Sequence, residues 1–248
     1  MAKLAIIGGT GLDKLRNLEI ERREVLQTPY GEPSGPLTHG HISGTQVVFL
    51  PRHGSGHTIP PHQVNYRANI WALHHIGIED IIAVAAVGGI TRGMVPATLA
   101  FPDQIIDYTW GRENTFFDDD DSAVTHIDFT YPYCVELRRK LIETARREGI
   151  TAIERGTYGA TQGPRLETAA EIDRLERDGC DMVGMTGMPE AALAAEKGMC
   201  YASCAVVANW AAGRGEGDGH ITMEEIEVHL KNAMTKVRGL LEAVIPSL

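Results

Sequence analysis

Arg52 and His53 stand together in "PRHGSGH", directly after the apolar run "QVVFL". A guanidinium is planar, permanently charged and shaped to meet phosphate oxygens. The plain alternative is an Arg reaching solvent from a strand end. Thr10 follows the glycines of "IIGGTG". Backbone N–H groups and a hydroxyl there can hold an anion, although a simple tight turn needs the same glycines. The stretch does not fit GxGxxG, because Gly9 takes a free position of that pattern and Leu12 leads to Asp13 instead of Gly. Met185 and Thr186 in "VGMTGMPE" fall at another strand end, where core Met and a helix-entry Thr are the ordinary roles. Ala85 and Ala86 open "AAVGG", and side chains this small let a ligand approach the backbone. Leu166 and Glu167 follow a Gly-Pro turn in "ATQGPRLET"; a Glu there also suits a helix start through the macrodipole. Asn209 ends the apolar run "CAVVAN", and its amide both donates and accepts. His53 and His57 are four apart, but Gly54 and Gly56 make a helix between them improbable. No HExxH occurs, so a zinc-protease pair is excluded.

These residues need a scaffold that gathers strand ends. Short apolar runs ("KLAIIG", "QVVFLP", "DIIAVAAVGG", "DMVGMT", "CYASCAVVAN") alternate with helical stretches. "PPHQVNYRANIWALHHIG" reads as a helix starting at Pro60 and Pro61, and "YCVELRRKLIETARREG" as one ending at Gly149. "TAAEIDRLERDG" and "PEAALAAEKG" are further helices, and the last helix begins near Thr222. The alternation predicts a single α/β domain over residues 1–248, with a mixed, mostly parallel central sheet flanked by helices. In such sheets ligands bind outside the carboxyl ends of the strands. Thr10, Arg52, His53, Ala85, Ala86, Thr186 and Asn209 then face one crevice, and a phosphate fits among Thr10, Arg52, His53 and Thr186.

The formal net charge of −10, without a dense Lys/Arg run, argues against nucleic acid or an anionic membrane as the main partner. It leaves room for one anionic substrate held by a few donors. No apolar run is long enough to span a membrane, and the short N-terminal one is no signal peptide. A cytoplasmic protein is expected. Cys134, Cys180, Cys200 and Cys204 form no CxxC pair; Cys200 and Cys204 lie about 13 Å apart along a strand, too far for a bridge. Buried free thiols are expected, and metal binding is not. "DDDD" at 118–121 reads as a solvated loop without calcium-loop spacing.

Nearly the whole chain resembles the trimeric purine nucleoside phosphorylase and 5′-methylthioadenosine phosphorylase family. The resemblance is carried by "IIGGTGL", "TPYGEPSGPLTHG", "RHGSGHTIPPHQVNYRANIWAL", "GTYGATQGPRLETAAE", "DMVGMTGMPEAALAAEKGMCYAS" and the strand leading to Asn209. It implies phosphorolysis of a purine nucleoside to free base and a ribose 1-phosphate, with inorganic phosphate as co-substrate and no metal or organic cofactor. Thr10, Arg52, His53 and Thr186 resemble the phosphate site, with the strand end at Ala85 and Ala86 contributing. Family members often carry a hydroxyl residue at position 85; here a contact must come from backbone. Met185 resembles the residue whose backbone meets the ribose. His126 resembles one lent across a subunit interface to the 5′ side of the sugar, which implies a homotrimer.

Three positions depart from the adenine branch. That branch typically has Asp at positions 209 and 211 and Ser at 167; this chain has Asn209, Ala211 and Glu167. An amide can donate to O6 and accept from N7–H, and a carboxylate can accept from N1–H of a 6-oxopurine. Facing adenine N1, that carboxylate would be acceptor against acceptor. At the sugar end, 6-oxopurine phosphorylases place a His near the start of the last helix. Here Met223 stands there, with Ile226 one turn on, although His220 lies close and Met223 can also be plain core. A keto base with an apolar 5′ group describes 5′-methylthioinosine. Inosine or guanosine is the runner-up, methylthioadenosine follows, and a nucleoside hydrolase or a non-catalytic nucleoside-binding module are the readings from other classes.

Overall fold

The computed structural model describes residues 2–9, 12, 17–118, 124–215 and 220–248. The strands are β1 Leu4–Gly8, β2 Glu19–Glu24, β3 Leu37–Ile42, β4 Thr45–Pro51, β5 Asp80–Gly89, β6 Leu99–Ala100, β7 Gln104–Asp107, β8 Ala152–Ile153, β9 Thr157–Ala160, β10 Met182–Gly184 and β11 Cys200–Trp210. The α-helices are α1 Tyr66–His75, α2 Val135–Arg147, α3 Ala169–Arg177, α4 Gly187–Glu196 and α5 Met223–Val244.

All the strands join one mixed sheet. Among the described residues six of its ten strand pairings are parallel and four antiparallel. The expected mostly parallel sheet is therefore present. β1, β4, β5 and β11 are buried along most of their lengths, as continuous Val/Ile/Ala runs require when helices cover both faces. Two large core clusters lie on the sheet. One includes Ile70 and Leu73 of α1 and Leu193 of α4, the other Leu137 and Leu141 of α2 and Val237 and Leu241 of α5. No described helix is long and apolar enough to cross a membrane.

The central strand β5 forks. On one edge it pairs with β11 almost end to end. On the other it pairs first with β1, through residues 80–83, and then with β10, through Gly88 and Gly89. β1 runs parallel to β5 and β10 antiparallel, so their C-terminal ends point toward each other across residues 84–87. Among the described residues no strand covers that edge of β5 there. Backbone N–H and C=O groups alternate between a strand's edges. Val84 and Ala86 therefore present theirs to the gap.

Two expectations need correction. The helix predicted from Pro60 starts at Tyr66, capped by the Asn65 side chain accepting from the Ala68 N–H. Pro61–Gln63 forms only a short 3-10 turn, because Asn65 supplies a true N-cap where the prolines cannot. The expected four free thiols are two: Cys134 and Cys200 form a disulfide with Cα atoms 5.2 Å apart, leaving Cys180 and Cys204 free and buried. Spacing correctly separates Cys200 from Cys204, but the chain brings Cys134, at the start of α2, to the start of β11 from 66 residues away. Of the acidic run, Asp118 pairs with Arg67 at 2.5 Å; the other three aspartates lie outside the described residues.

Candidate active site

The gap in the β5 edge opens into a cavity of about 580 Å³. Arg52, His53, Ala85, Ala86, Leu166, Glu167, Met185, Thr186, Asn209, Ala211, Met223 and Ile226 all line it. Thr10 lies outside the described residues. His126 is exposed and does not line the cavity.

Arg52 is not a solvent-seeking strand-end residue. Its side chain is 1% exposed, and Nε and Nη2 each donate at 2.7 Å to the two oxygens of Glu190, itself 0% exposed. Burial works against the Arg52 charge, but the Glu190 carboxylate outweighs it and holds the guanidinium protonated. Nη1 donates to the unpaired Val84 carbonyl at 2.9 Å. Gly9 permits this approach, since a Cβ there would lie 2.7 Å from the Val84 oxygen and 2.8 Å from Nη1. Of the five guanidinium N–H groups, two meet no acceptor among the described residues and can serve a ligand.

His53 donates Nδ1–H to the Ile59 carbonyl at 2.8 Å. A carbonyl only accepts, so the neutral ring carries its proton on Nδ1 and its lone pair on Nε2. Burial, reinforced by the nearby Arg52 charge, pulls its pKa down to about 4. His53 is neutral at pH 7 and offers Nε2 as an acceptor. Thr186 is buried at the N-cap of α4 without bonding the helix's first turn. It therefore brings a hydroxyl to the cavity, while the extended Met188 separates it from the regular turns of α4.

Glu167 does not serve the helix that follows. The capping box of α3 is made by Thr168 and Glu171. Glu167 instead accepts at 2.6 Å from the Thr161 hydroxyl through Oε1, and no described donor meets Oε2. Asn209 follows a bulge in β11, donates from Nδ2 to the Trp210 carbonyl at 2.6 Å, and has no described donor on Oδ1. Met223 is 66% exposed at the cavity rim, so it is not plain core.

Residue types and spacing did not single out several contributors. Glu190 sits on α4 inside "PEAALAAE", where it reads as a helix-surface acid. Ile59, Pro60, Pro61 and Ile221 add apolar wall, and His220 does not line the cavity. Arg112 donates to the carbonyls of Met185, Met188 and Gln162 at 2.8, 2.6 and 2.9 Å, tying the Met185 segment to the loop that carries Glu167. A lone Arg in "WGRENT" carries no local signal for that role.

The cavity thus lies at facing strand ends, with Arg52 and Thr186 on its floor and Asn209 and Glu167 beside an apolar wall. The model of the family described as the phosphorylase superfamily matches residues 3–246. The chain belongs to that superfamily. This phosphorylase is 55% identical over 241 residues to the protein named "Probable S-methyl-5'-thioinosine phosphorylase" of Xanthomonas campestris pv. campestris, covering 97% of this chain and 95% of that one. It is 47% identical over 249 residues to the 6-oxopurine nucleoside phosphorylase of Pyrococcus furiosus, covering 98% and 92%. Among solved structures, the methylthioadenosine phosphorylase of Schistosoma mansoni in complex with adenine superposes with a TM-score of 0.94 at 32% identity, covering 99% of this phosphorylase and 91% of that chain.

Proposed function

We propose that this phosphorylase cleaves 5′-methylthioinosine with inorganic phosphate, giving hypoxanthine and 5-methylthioribose 1-phosphate. A phosphate oxygen attacks C1′ as the C1′–N9 bond breaks. The sugar passes through a cation-like transition state that phosphate stabilises, and the base leaves with negative charge that protonation at N7 neutralises. Phosphate would sit against the two remaining Arg52 N–H groups, the Ala86 N–H, the Thr186 hydroxyl and Thr10. His53 would accept from the phosphate O–H. Asn209 would meet N7–H through Oδ1 and O6 through its second Nδ2 hydrogen. Glu167 would accept from N1–H. The reading needs no metal or organic cofactor.

One observation carries the choice of substrate. The cavity that holds the Asn209 amide and the Glu167 carboxylate is also lined by Ile59, Pro60, Pro61, Ile221, Met223 and Ile226. A keto base suits the first pair and a methylthio group the second set. Each buried methylene-sized group contributes about 0.8 kcal/mol there, whereas a hydroxyl would go unpaired. The names of the relatives from Xanthomonas and Pyrococcus point to the same base class.

We take the assembly to be a homotrimer in which His126 reaches a neighbour's sugar site. In support, His126 is exposed outside its own cavity, and its segment carries the exposed apolar side chains Trp110, Val124 and Tyr131. The cytoplasm is the proposed location, as for a salvage enzyme of small nucleosides. The test of the activity is base release from 5′-methylthioinosine with and without phosphate. Release that requires phosphate and yields one sugar 1-phosphate per hypoxanthine supports it. Release in phosphate-free buffer would make the protein a hydrolase, and tight binding without release would make it a binding module.

A further inference from the structure

β11 is irregular just before Asn209. Its register against β5 is unbroken from Cys200 opposite Asp80 to Val207 opposite Val87, then resumes with Asn209 opposite Gly88. Ala208 is the extra residue. A bulge leaves such a residue outside the ladder and re-aims the side chains beside it. The Ala208 carbonyl accepts from His229 Nδ1 at 3.0 Å. The preceding Val207 carbonyl accepts from the Ala97 N–H at 2.8 Å, and the Ala97 carbonyl accepts from Lys236 Nζ at 2.9 Å. His229 and Lys236 are seven residues apart on α5 and share one face. The helix thus grips the two residues before Asn209 directly at one point and through Ala97 at another. Three and six residues before His229, in the first two turns of the same helix, stand Ile226 and Met223, which line the cavity.

We propose that His229 is a positioning residue that couples the 5′ wall to base selection. The inference rests on the reading of Asn209 as the base contact and of Met223 and Ile226 as the 5′ wall. A 5′ group packed on Met223 and Ile226 steadies the first turns of α5. His229 transmits that to the bulge, and the bulge sets the aim of the Asn209 amide. Selection of the keto base then depends on what occupies the 5′ wall, although the two ends of the nucleoside touch different residues.

The experiment measures kcat/KM for inosine, adenosine and their 5′-methylthio forms with the wild type, His229→Ala and His229→Asn. In the wild type the keto-over-amino ratio is larger for the methylthio pair than for the hydroxy pair. His229→Ala lowers the methylthio ratio about tenfold, the scale of one lost aligning hydrogen bond, and makes the two ratios equal. His229→Asn keeps a donor at the reach of Nδ1 and restores most of the difference. A merely structural His229 would lower all four rates alike with the ratios unchanged, and that result overturns the proposal. Equal ratios in the wild type overturn it too, even if the alanine variant fails to fold. A wild type with no keto preference at all would instead defeat the base-recognition reading beneath it.

Discussion

Arg52 and Glu190 form a two-pronged ion pair with both side chains buried and both bonds at 2.7 Å. Tyr201 completes it, donating its hydroxyl to Glu190 at 2.8 Å. The pair lets a permanently charged donor lie under the proposed phosphate site without an uncompensated buried charge. Removing one partner of such a pair destabilises strongly, because the other charge stays buried. Glu190→Gln is expected to cost about 3–5 kcal/mol, a Tm drop of about 10 °C in a chain of this size. Thermal unfolding measures it. A drop under about 2 °C would show that the pair does not hold this segment.

His53 gives the stability of the protein a pH dependence of known sign. Its folded pKa of about 4 lies below the ordinary 6.5, so below pH 6.5 the unfolded chain takes up a proton that the folded one refuses. Stability is then full above about pH 6.5 and falls as pH drops toward 4. Glu24, Asp103 and Glu171, whose carboxyls are held below their usual range, act only under about pH 4.5. Between pH 6.5 and 5 the loss should shrink in His53→Asn. Equal losses of Tm in variant and wild type across that window would contradict the assignment.

Met223→His tests the sugar end. A hydroxyl gains a partner and a methylthio group loses apolar wall, so the inosine to methylthioinosine ratio of kcat/KM should rise about tenfold or more. Initial rates with the two nucleosides decide it. An unchanged ratio would mean that the 5′ pocket is lined by residues other than Met223.

The disulfide predicts a thiol count. Unfolded without reductant, the protein should expose two reactive thiols, Cys180 and Cys204, and after reduction four. In the folded state both react slowly, since burial pushes the Cys180 thiol up and the Cys204 thiol up to about 12. Four thiols without reductant would remove the Cys134–Cys200 bridge.

Much of the fold was legible because buried strands and amphipathic helices have different periods. α3 and α5 begin at the capping residues Thr168 and Thr222 that the sequence displays. The site residues could be gathered because they follow apolar runs. What was hidden depends on partners far away in the chain. The Cys134–Cys200 bridge, the Arg52–Glu190 pair and the Arg112 carbonyl clamp link segments separated by tens of residues, and no local pattern marks them. β2 and β3 also escaped notice. β2 reads "EIERRE" and is exposed almost throughout, so it lacks the apolar signal of a strand. The Asn209 bulge was invisible for a related reason: "CAVVANW" has a continuous strand pattern, and only its pairing with β5 reveals the extra residue.

The central claim is that Asn209 and Glu167 match a keto base. The most direct measurement compares kcat/KM for 5′-methylthioinosine and 5′-methylthioadenosine in the wild type and in Asn209→Asp/Glu167→Ser. The wild type should favour the keto nucleoside by about a hundredfold or more, as expected of a site whose polar groups would otherwise stand unpaired. The double variant should move that preference toward the amino nucleoside. Faster cleavage of the amino nucleoside by the wild type, or an unmoved ratio in the double variant, would contradict the account.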